Sequence, residues 1–266
     1  MAKRIISVSY KDDTPAFKSE QFFRDLEKGY RDLPTKIGTM RVSLLPKDVY
    51  CFVFWTKNPS DHFINNMMNI RSPFYIQWTI TGYDNDIETN MAPKEEIISR
   101  FQKVSNLLGP ERTIWRYDPI LMNAKYTVEE HIRRYTEMAQ KMKGYTRTCV
   151  ISFMDEYGKI SQNVKAGEMR APRLDEIHAM SKAFAEMARK NGLKIQTCSE
   201  GTYDLTEYGI HEKACIDSKL IEELSGEKLP EAIKKPNSFR RCSCAVNTDI
   251  GSYHTCKHGC KYCYAK

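Results

Sequence analysis

Apolar and polar positions along the chain alternate between two periods. Short runs rich in β-branched and aromatic residues are separated by segments whose apolar positions recur at helical spacing. Seven runs predict strands: 5–9, 50–55, 74–81, 113–117, 148–153, 194–197 and 245–250. Between them, Ile97, Phe101, Val104 and Leu108 share one helical face, and Ile177, Met180, Phe184, Met187 and Ala188 share another. The punctuation agrees. Pro93 with Glu95 and Glu96 opens one helix and Gly109-Pro110 closes it, and Asn191-Gly192 closes the helix before the sixth run. Repeated strand-helix-strand units predict parallel strands with right-handed crossovers. Seven of them predict an α/β fold built as a partial or closed (β/α) TIM-like barrel.

A polar, proline-punctuated connection from Leu229 to Ser243 divides a barrel body, 1–228, from a cysteine-rich segment, 229–266, that completes the same structural domain. With 266 residues, 41% hydrophobic and 28% charged, the chain is too apolar for a disordered protein. Its longest apolar run, 49–55, is far below the ~18 residues a membrane-spanning helix requires. The N-terminus turns polar at Ser7, before the apolar core of an export signal forms, so a cytoplasmic location is expected. Net charge is 41 minus 34, or +7, and the seven Lys/Arg from Ala232 onward, against Asp249 alone, supply +6 of it. Such a tail steers anions or nucleic acid, but metal-bound thiolates in the same segment would cancel several of its charges.

In such barrels chemistry gathers at the C-terminal ends of the strands. Here those ends are polar: Thr56-Lys57-Asn58-Pro59, Thr81-Gly82-Tyr83-Asp84, Arg116-Tyr117-Asp118-Pro119, Asp155-Glu156 and Cys198-Ser199-Glu200. Lys57, Arg116, Asp118 and Glu200 are the candidate catalytic residues, and Asn58, Gln77 and Asp155 are candidates to hold a cofactor.

Nine cysteines without an export signal point to metal or redox chemistry, because the cytosol keeps thiols reduced. Cys256, Cys260 and Cys263 stand at C-x3-C-x2-C spacing after the last predicted strand, with Gly259 to tighten the turn. Thiolates are soft ligands for iron-sulfur clusters or zinc. A closed centre takes four, so three leave one iron of a [4Fe-4S] cluster open. Cys198, Cys215, Cys242 and Cys244 form a second candidate metal set, for another [4Fe-4S] cluster or a zinc ion. Cys51 and Cys149 lie inside apolar strands and are expected in the core, and His254 and His258 are expected to be loop residues.

The cysteine loop resembles that of the radical S-adenosylmethionine (SAM) enzymes, including an aromatic, Tyr262, before the third cysteine. Phe54-Trp55-Thr56-Lys57-Asn58-Pro59, Thr81-Gly82-Tyr83, Gly109-Pro110, Trp115-Arg116-Tyr117-Asp118-Pro119 and Asp249-Ile250-Gly251 resemble domain of unknown function 1848, a bacterial family with phrases similar to spore photoproduct lyase. The superfamily resemblance implies a barrel circularly permuted so that the cysteine loop comes last. It also implies a [4Fe-4S] cluster whose open iron binds SAM, contact of Tyr262 with the adenine, and a small electron donor of ferredoxin or flavodoxin type. Arg116 or Lys57 would then face the methionyl carboxylate or form a structural ion pair. The chain departs from the family near its first strand. A basic pair and Thr-Asp-Ile-Pro are expected there, and Ser9-Tyr10-Lys11-Asp12-Asp13-Thr14-Pro15 stand instead. The expected activity is reductive cleavage of SAM and hydrogen abstraction from a substrate open among nucleic acid, peptide and metabolite. The competing readings are a zinc-bearing nucleic-acid binder and an iron-sulfur electron carrier without SAM chemistry.

Overall fold

The computed structural model describes residues 3–156, 163–164, 166–198, 200, 203–234 and 242–265. In chain order its elements are β1 (Arg4–Val8), α1 (Thr14–Phe17), α2 (Ser19–Lys28), β2 (Tyr30–Thr35), β3 (Gly38–Ser43), β4 (Val49–Thr56), α3 (Asp61–Asn66), β5 (Phe74–Thr79) and α4 (Lys94–Leu108). They continue with β6 (Thr113–Ile120), α5 (Val128–Met142), β7 (Thr148–Phe153), α6 (Leu174–Lys190), β8 (Lys194–Thr197), β9 (His211–Glu212), α7 (Ser218–Ser225), α8 (Glu231–Lys234) and β10 (Thr248–Asp249). Eight strands form one mostly parallel sheet in the order β10-β1-β4-β5-β6-β7-β8-β9. The α/β class stands, but closure does not: the sheet is open, with β10 and β9 at its edges. Each edge strand is only two residues long. Among the described residues no pairing joins one edge to the other.

Two compact units divide the chain, residues 1–77 with 214–256 and residues 78–213 with 257–266. In the first, β1 pairs in parallel with β10, Ser7 opposite Asp249, and with β4, Ser7 opposite Val53. Strand β4, VYCFVFWT, is apolar almost throughout because a parallel strand is covered on both faces. Phe54 meets Phe22 of α2 at 5.3 Å, Phe63 of α3 at 4.9 Å and Phe74 of β5 at 5.6 Å between ring centroids. The Ser60 side chain caps α3 by accepting from the Phe63 amide at 3.2 Å.

The hairpin of β2 and β3 lies outside the predicted pattern. Pro34 stands within β2 opposite Thr39, a position that a two-stranded ribbon tolerates. The predicted strand 245–250 shrinks to Thr248–Asp249 for a definite reason. The Ala245 and Val246 amides donate to the carbonyls of Ile216 and Ile233, at 3.0 and 2.8 Å, and so leave the ladder.

In the second unit β6, β7, β8 and β9 pair in parallel. Trp115 of β6 stacks on Tyr135 of α5 at 5.1 Å, and Tyr135 stacks on Phe184 of α6 at 4.0 Å. Gly109, at φ 94°, closes α4 where the Gly-Pro pair predicted it. Cys51 and Cys149 are fully buried, as expected of core thiols, and burial pushes the Cys149 thiol up to about 12. No helix of the described residues is long and apolar enough to cross a membrane.

Candidate functional site

In the first unit two buried carboxylates fix the segment that leads to the cysteines. Asp249 ends β10 and accepts from Ser7 Oγ at 2.8 Å, Ser9 Oγ at 2.8 Å, the Tyr10 amide at 3.0 Å and the Gly251 amide at 3.0 Å. Lys11 Nζ lies 3.6 Å from the same carboxylate. Asp12 accepts from Thr14 Oγ1 at 2.6 Å, Lys18 Nζ at 2.7 Å, the Ser252 amide at 3.0 Å and Thr255 Oγ1 at 3.1 Å. Burial alone would raise the Asp12 pKa, but the bonds from Lys18, Thr14 and Ser252 outweigh it and hold the carboxyl below its ordinary range. Gly251 is required by close approach, since a Cβ there would sit 1.9 Å from Ser9 Oγ. The divergent stretch after the first strand therefore braces residues 249–255.

The predicted residues of this unit have distinct surroundings. The Lys57 amide donates to Asp13 Oδ2 at 2.7 Å. Asn58 Oδ1 is shut off from solvent and accepts no hydrogen bond from a described residue. Gln77 is buried, and its amide donates to the Cys215 carbonyl at 2.8 Å, which Tyr75 also reaches at 2.7 Å. Cys244 Sγ accepts from the Ile216 amide at 3.4 Å, which sets the Cys-x-Cys pair against the peptide after Cys215. Cys198 belongs to the second unit.

In the second unit residues 87–91 act as a template for the cysteine turn. Lys261 N donates to the Ile87 carbonyl and Asn90 N to the His258 carbonyl, both at 3.0 Å. The Asn90 amide side chain donates to the Lys257 carbonyl at 2.8 Å, and Thr89 Oγ1 to the Gly259 carbonyl at 3.2 Å. Gly259 has φ 71°, and a Cβ on it would come within 3.0 Å of Asn90 Nδ2. At the centre stands Glu88, fully buried. Its carboxylate accepts from Thr81 Oγ1 at 2.6 Å and from the Tyr262 hydroxyl, and pairs with Lys94 Nζ at 3.1 Å. Cys260 and Tyr262 are buried in a cluster with Tyr83, Ile87, Leu121 and Tyr126, and Cys263 packs half-buried against it. The Tyr262 hydroxyl is thus engaged by Glu88, and its ring lies 5.8 Å from that of Tyr83.

At the strand ends of the same unit four predicted residues come together. Arg116, 5% exposed, donates to Asp118 Oδ2 from Nη2 at 2.5 Å and from Nε at 3.0 Å. Ser152 Oγ donates to the other oxygen of Asp118. Glu200 accepts from the Phe153 amide at 3.0 Å. Burial, and then the charges of Asp118, Asp155 and Glu212, push its carboxyl up to about 8.

The model of a protein family described as domain of unknown function (DUF1848) matches residues 5–265. The chain belongs to that family. No curated protein matches this DUF1848 chain.

Among the described residues of the DUF1848 chain, no three His, Cys, Asp or Glu side chains converge closely enough to hold a single metal ion. The cysteines of a four-iron cluster bind separate irons and need not converge on one point. Soft thiol donors at this spacing, on a turn fixed by its neighbours, fit such a cluster. Reading the sequence missed Glu88, Asn90, Ser152 and the bracing role of Asp12. Each is a polar residue in a polar loop or a strand, and the partner that gives it its role, Tyr262, Lys257, Asp118 or Ser252, lies too far along the chain for local periodicity to mark it.

Proposed function

We infer that this DUF1848 chain is a radical SAM-type enzyme. In this reading Cys256, Cys260 and Cys263 hold a [4Fe-4S] cluster with one iron open to SAM, on an open, circularly permuted relative of the (β/α) barrel. The observation that carries it is the C-x3-C-x2-C turn, whose Gly259 and buried Cys260 are braced by residues 87–91. When bound, such a cluster supplies one electron for reductive cleavage of SAM and so generates a hydrogen-abstracting deoxyadenosyl radical.

The chain's own residues would orient and protect. The buried wall of Tyr83, Leu121 and Tyr126 behind Cys260 excludes water from that side of the turn. Arg116 is held rigid by Asp118, which favours its structural ion-pair role and presents a fixed polar edge to a substrate together with Ser152, Asp155 and Glu200. The enzyme would work in the cytoplasm with a ferredoxin- or flavodoxin-type donor.

The test is anaerobic reconstitution with iron and sulfide analysis, followed by electron paramagnetic resonance of the reduced protein with and without SAM, in wild type and Cys260→Ala. About four irons per chain for one cluster, or about eight for two, and a SAM-dependent spectral change lost in the variant are expected. Zinc without a cluster, or a cluster indifferent to SAM, overturns the reading.

A further inference from the structure

Glu88 stands directly opposite the middle cysteine of the turn. The two are partners in an antiparallel bridge, fastened by the Lys261 amide on the Ile87 carbonyl at 3.0 Å. The hydrogen bond flanks the pair rather than joining it. In a bridge of that pattern facing side chains leave the backbone on the same side, with Cβ atoms about 4.5–5.5 Å apart. Both residues are buried, Glu88 at 0% and Cys260 at 4% exposed, so the field of the carboxylate reaches the sulfur through protein rather than through water.

The carboxylate takes the donors that a charged acid takes. Its Oε1 accepts from the hydroxyls of Thr81 and Tyr262, and its Oε2 pairs with Lys94 Nζ. Lys94 reaches it from α4 with a side chain 24% exposed, so water screens the ammonium more than the carboxylate. The lysines of the turn itself face outward: Lys257 is exposed, and Lys261 pairs with Glu168 at 2.8 Å. Cys260 thus faces a negative field from Glu88 that Lys94 offsets only in part.

We propose that Glu88 sets how readily an electron enters a cluster bound at Cys260, holding its reduction potential low. The inference rests on the radical SAM reading and deepens it. The ferredoxin- or flavodoxin-type donor loses one electron and the four-iron cluster gains it, with no bond made or broken. Charge, hydrogen bonding and solvent exposure set the potential of such a centre. By opposing the added negative charge, Glu88 leaves the electron more readily given up to SAM.

The test is a potentiometric titration, without SAM, of the anaerobically reconstituted full chain. Electron paramagnetic resonance reads the reduced cluster in wild type, Glu88→Gln, Lys94→Met and the double variant, and iron analysis establishes the cluster in each. Glu88→Gln should raise the reduced-to-oxidised ratio at a given applied potential about tenfold, or about 59 mV for a one-electron couple. Lys94→Met should lower that ratio by a smaller factor, and the double variant should fall between the two. The opposite signs separate charge from structure, because a loosened turn admits water, which favours the more negative reduced form and raises the potential in every variant. Shifts of one sign in both single variants, or one potential throughout, overturn the proposal and leave the radical SAM reading standing; a wild type that assembles no cluster overturns both. If Glu88→Gln assembles no cluster, Lys94→Met decides alone, a lowered potential supporting the proposal and a raised or unchanged one overturning it.

Discussion

Replacing Glu88 by Gln should loosen the cysteine turn while leaving the core of its unit folded. The side chain keeps its size, but the carboxylate that takes two hydroxyls and an ammonium becomes a neutral amide. The hydrogen bonds from Thr81 and Tyr262 lose their charge assistance, about 1 kcal/mol each. Lys94, whose side chain is 24% exposed, loses its counter-ion and turns partly to water, for about 1 kcal/mol more. The total, about 3 kcal/mol, corresponds to a roughly 100-fold rise in the population of the open turn if the loss falls on local opening. Cys260, 4% exposed, reports that opening. Its alkylation by iodoacetamide in the metal-free protein, followed by peptide mass spectrometry, should accelerate by up to that factor, with Cys149 of β7 as the internal reference. Tyr262→Phe, which leaves the carboxylate charged, should give a smaller acceleration. If Cys260 reacts at the wild-type rate in Glu88→Gln, or rises only in step with Cys149, Glu88 does not hold the turn and the template argument fails.

Three further outcomes follow from the geometry. His131 is buried with Nε2 against the Leu121 carbonyl at 2.7 Å and Nδ1 against the Tyr117 hydroxyl at 3.0 Å. Burial first, then the Arg134 charge, lower its pKa to about 4 despite the Leu121 bond and Glu130. The unfolded chain binds the extra proton below about 6.5, so this residue removes about 3 kcal/mol of stability as pH falls from 6.5 through 4, and His131→Asn should flatten that part of the pH dependence in denaturant titrations. Gly251→Ala should lower the melting temperature by several degrees because its methyl meets Ser9, and Ser9→Gly in the same chain should recover part of the loss in a double-mutant cycle. Removing metal with a chelator should leave the far-ultraviolet circular dichroism unchanged, because residues 249–262 are tied down by protein hydrogen bonds; collapse of the spectrum would mean that metal, as in a zinc finger, folds the segment.

Much of the α/β pattern was legible because its signals are local. The strands at 148–153 and 194–197 and the helix between Pro93 and Gly109 were marked by apolar runs and by proline and glycine punctuation, and they stand where predicted. The hairpin at 30–43 was hidden by Pro34 and by charges at Arg31, Asp32 and Arg41, which break the alternation that marks a strand. Closure of the sheet was not decidable from a count of strands. It depends on whether the terminal strands carry ladders long enough to pair, and the hydrogen bonds of Ala245 and Val246 to the carbonyls of Ile216 and of Ile233 in α8 shorten β10 before it can.

The candidate site divides along the same line. The cysteine spacing is a property of eight consecutive residues and can be read directly. What shapes those residues is not local: Tyr262 meets Glu88 across 174 positions and Ser252 meets Asp12 across 240. In a parallel sheet the residues after one strand lie beside those after its neighbour, and the crossover that joins the two strands sets them far apart in sequence. Loops at one sheet end therefore meet late in the chain and early in it at once. A polar residue such as Glu88 or Asp12 then looks like ordinary loop polarity until the partner loop is in place. The Ser9–Pro15 stretch makes the point sharply, since its departure from the family phrase reads as a loss. In space the same residues supply Ser9 to Asp249, and Asp12 to Ser252 and Thr255, so the divergent stretch carries the contacts that set the approach to Cys256.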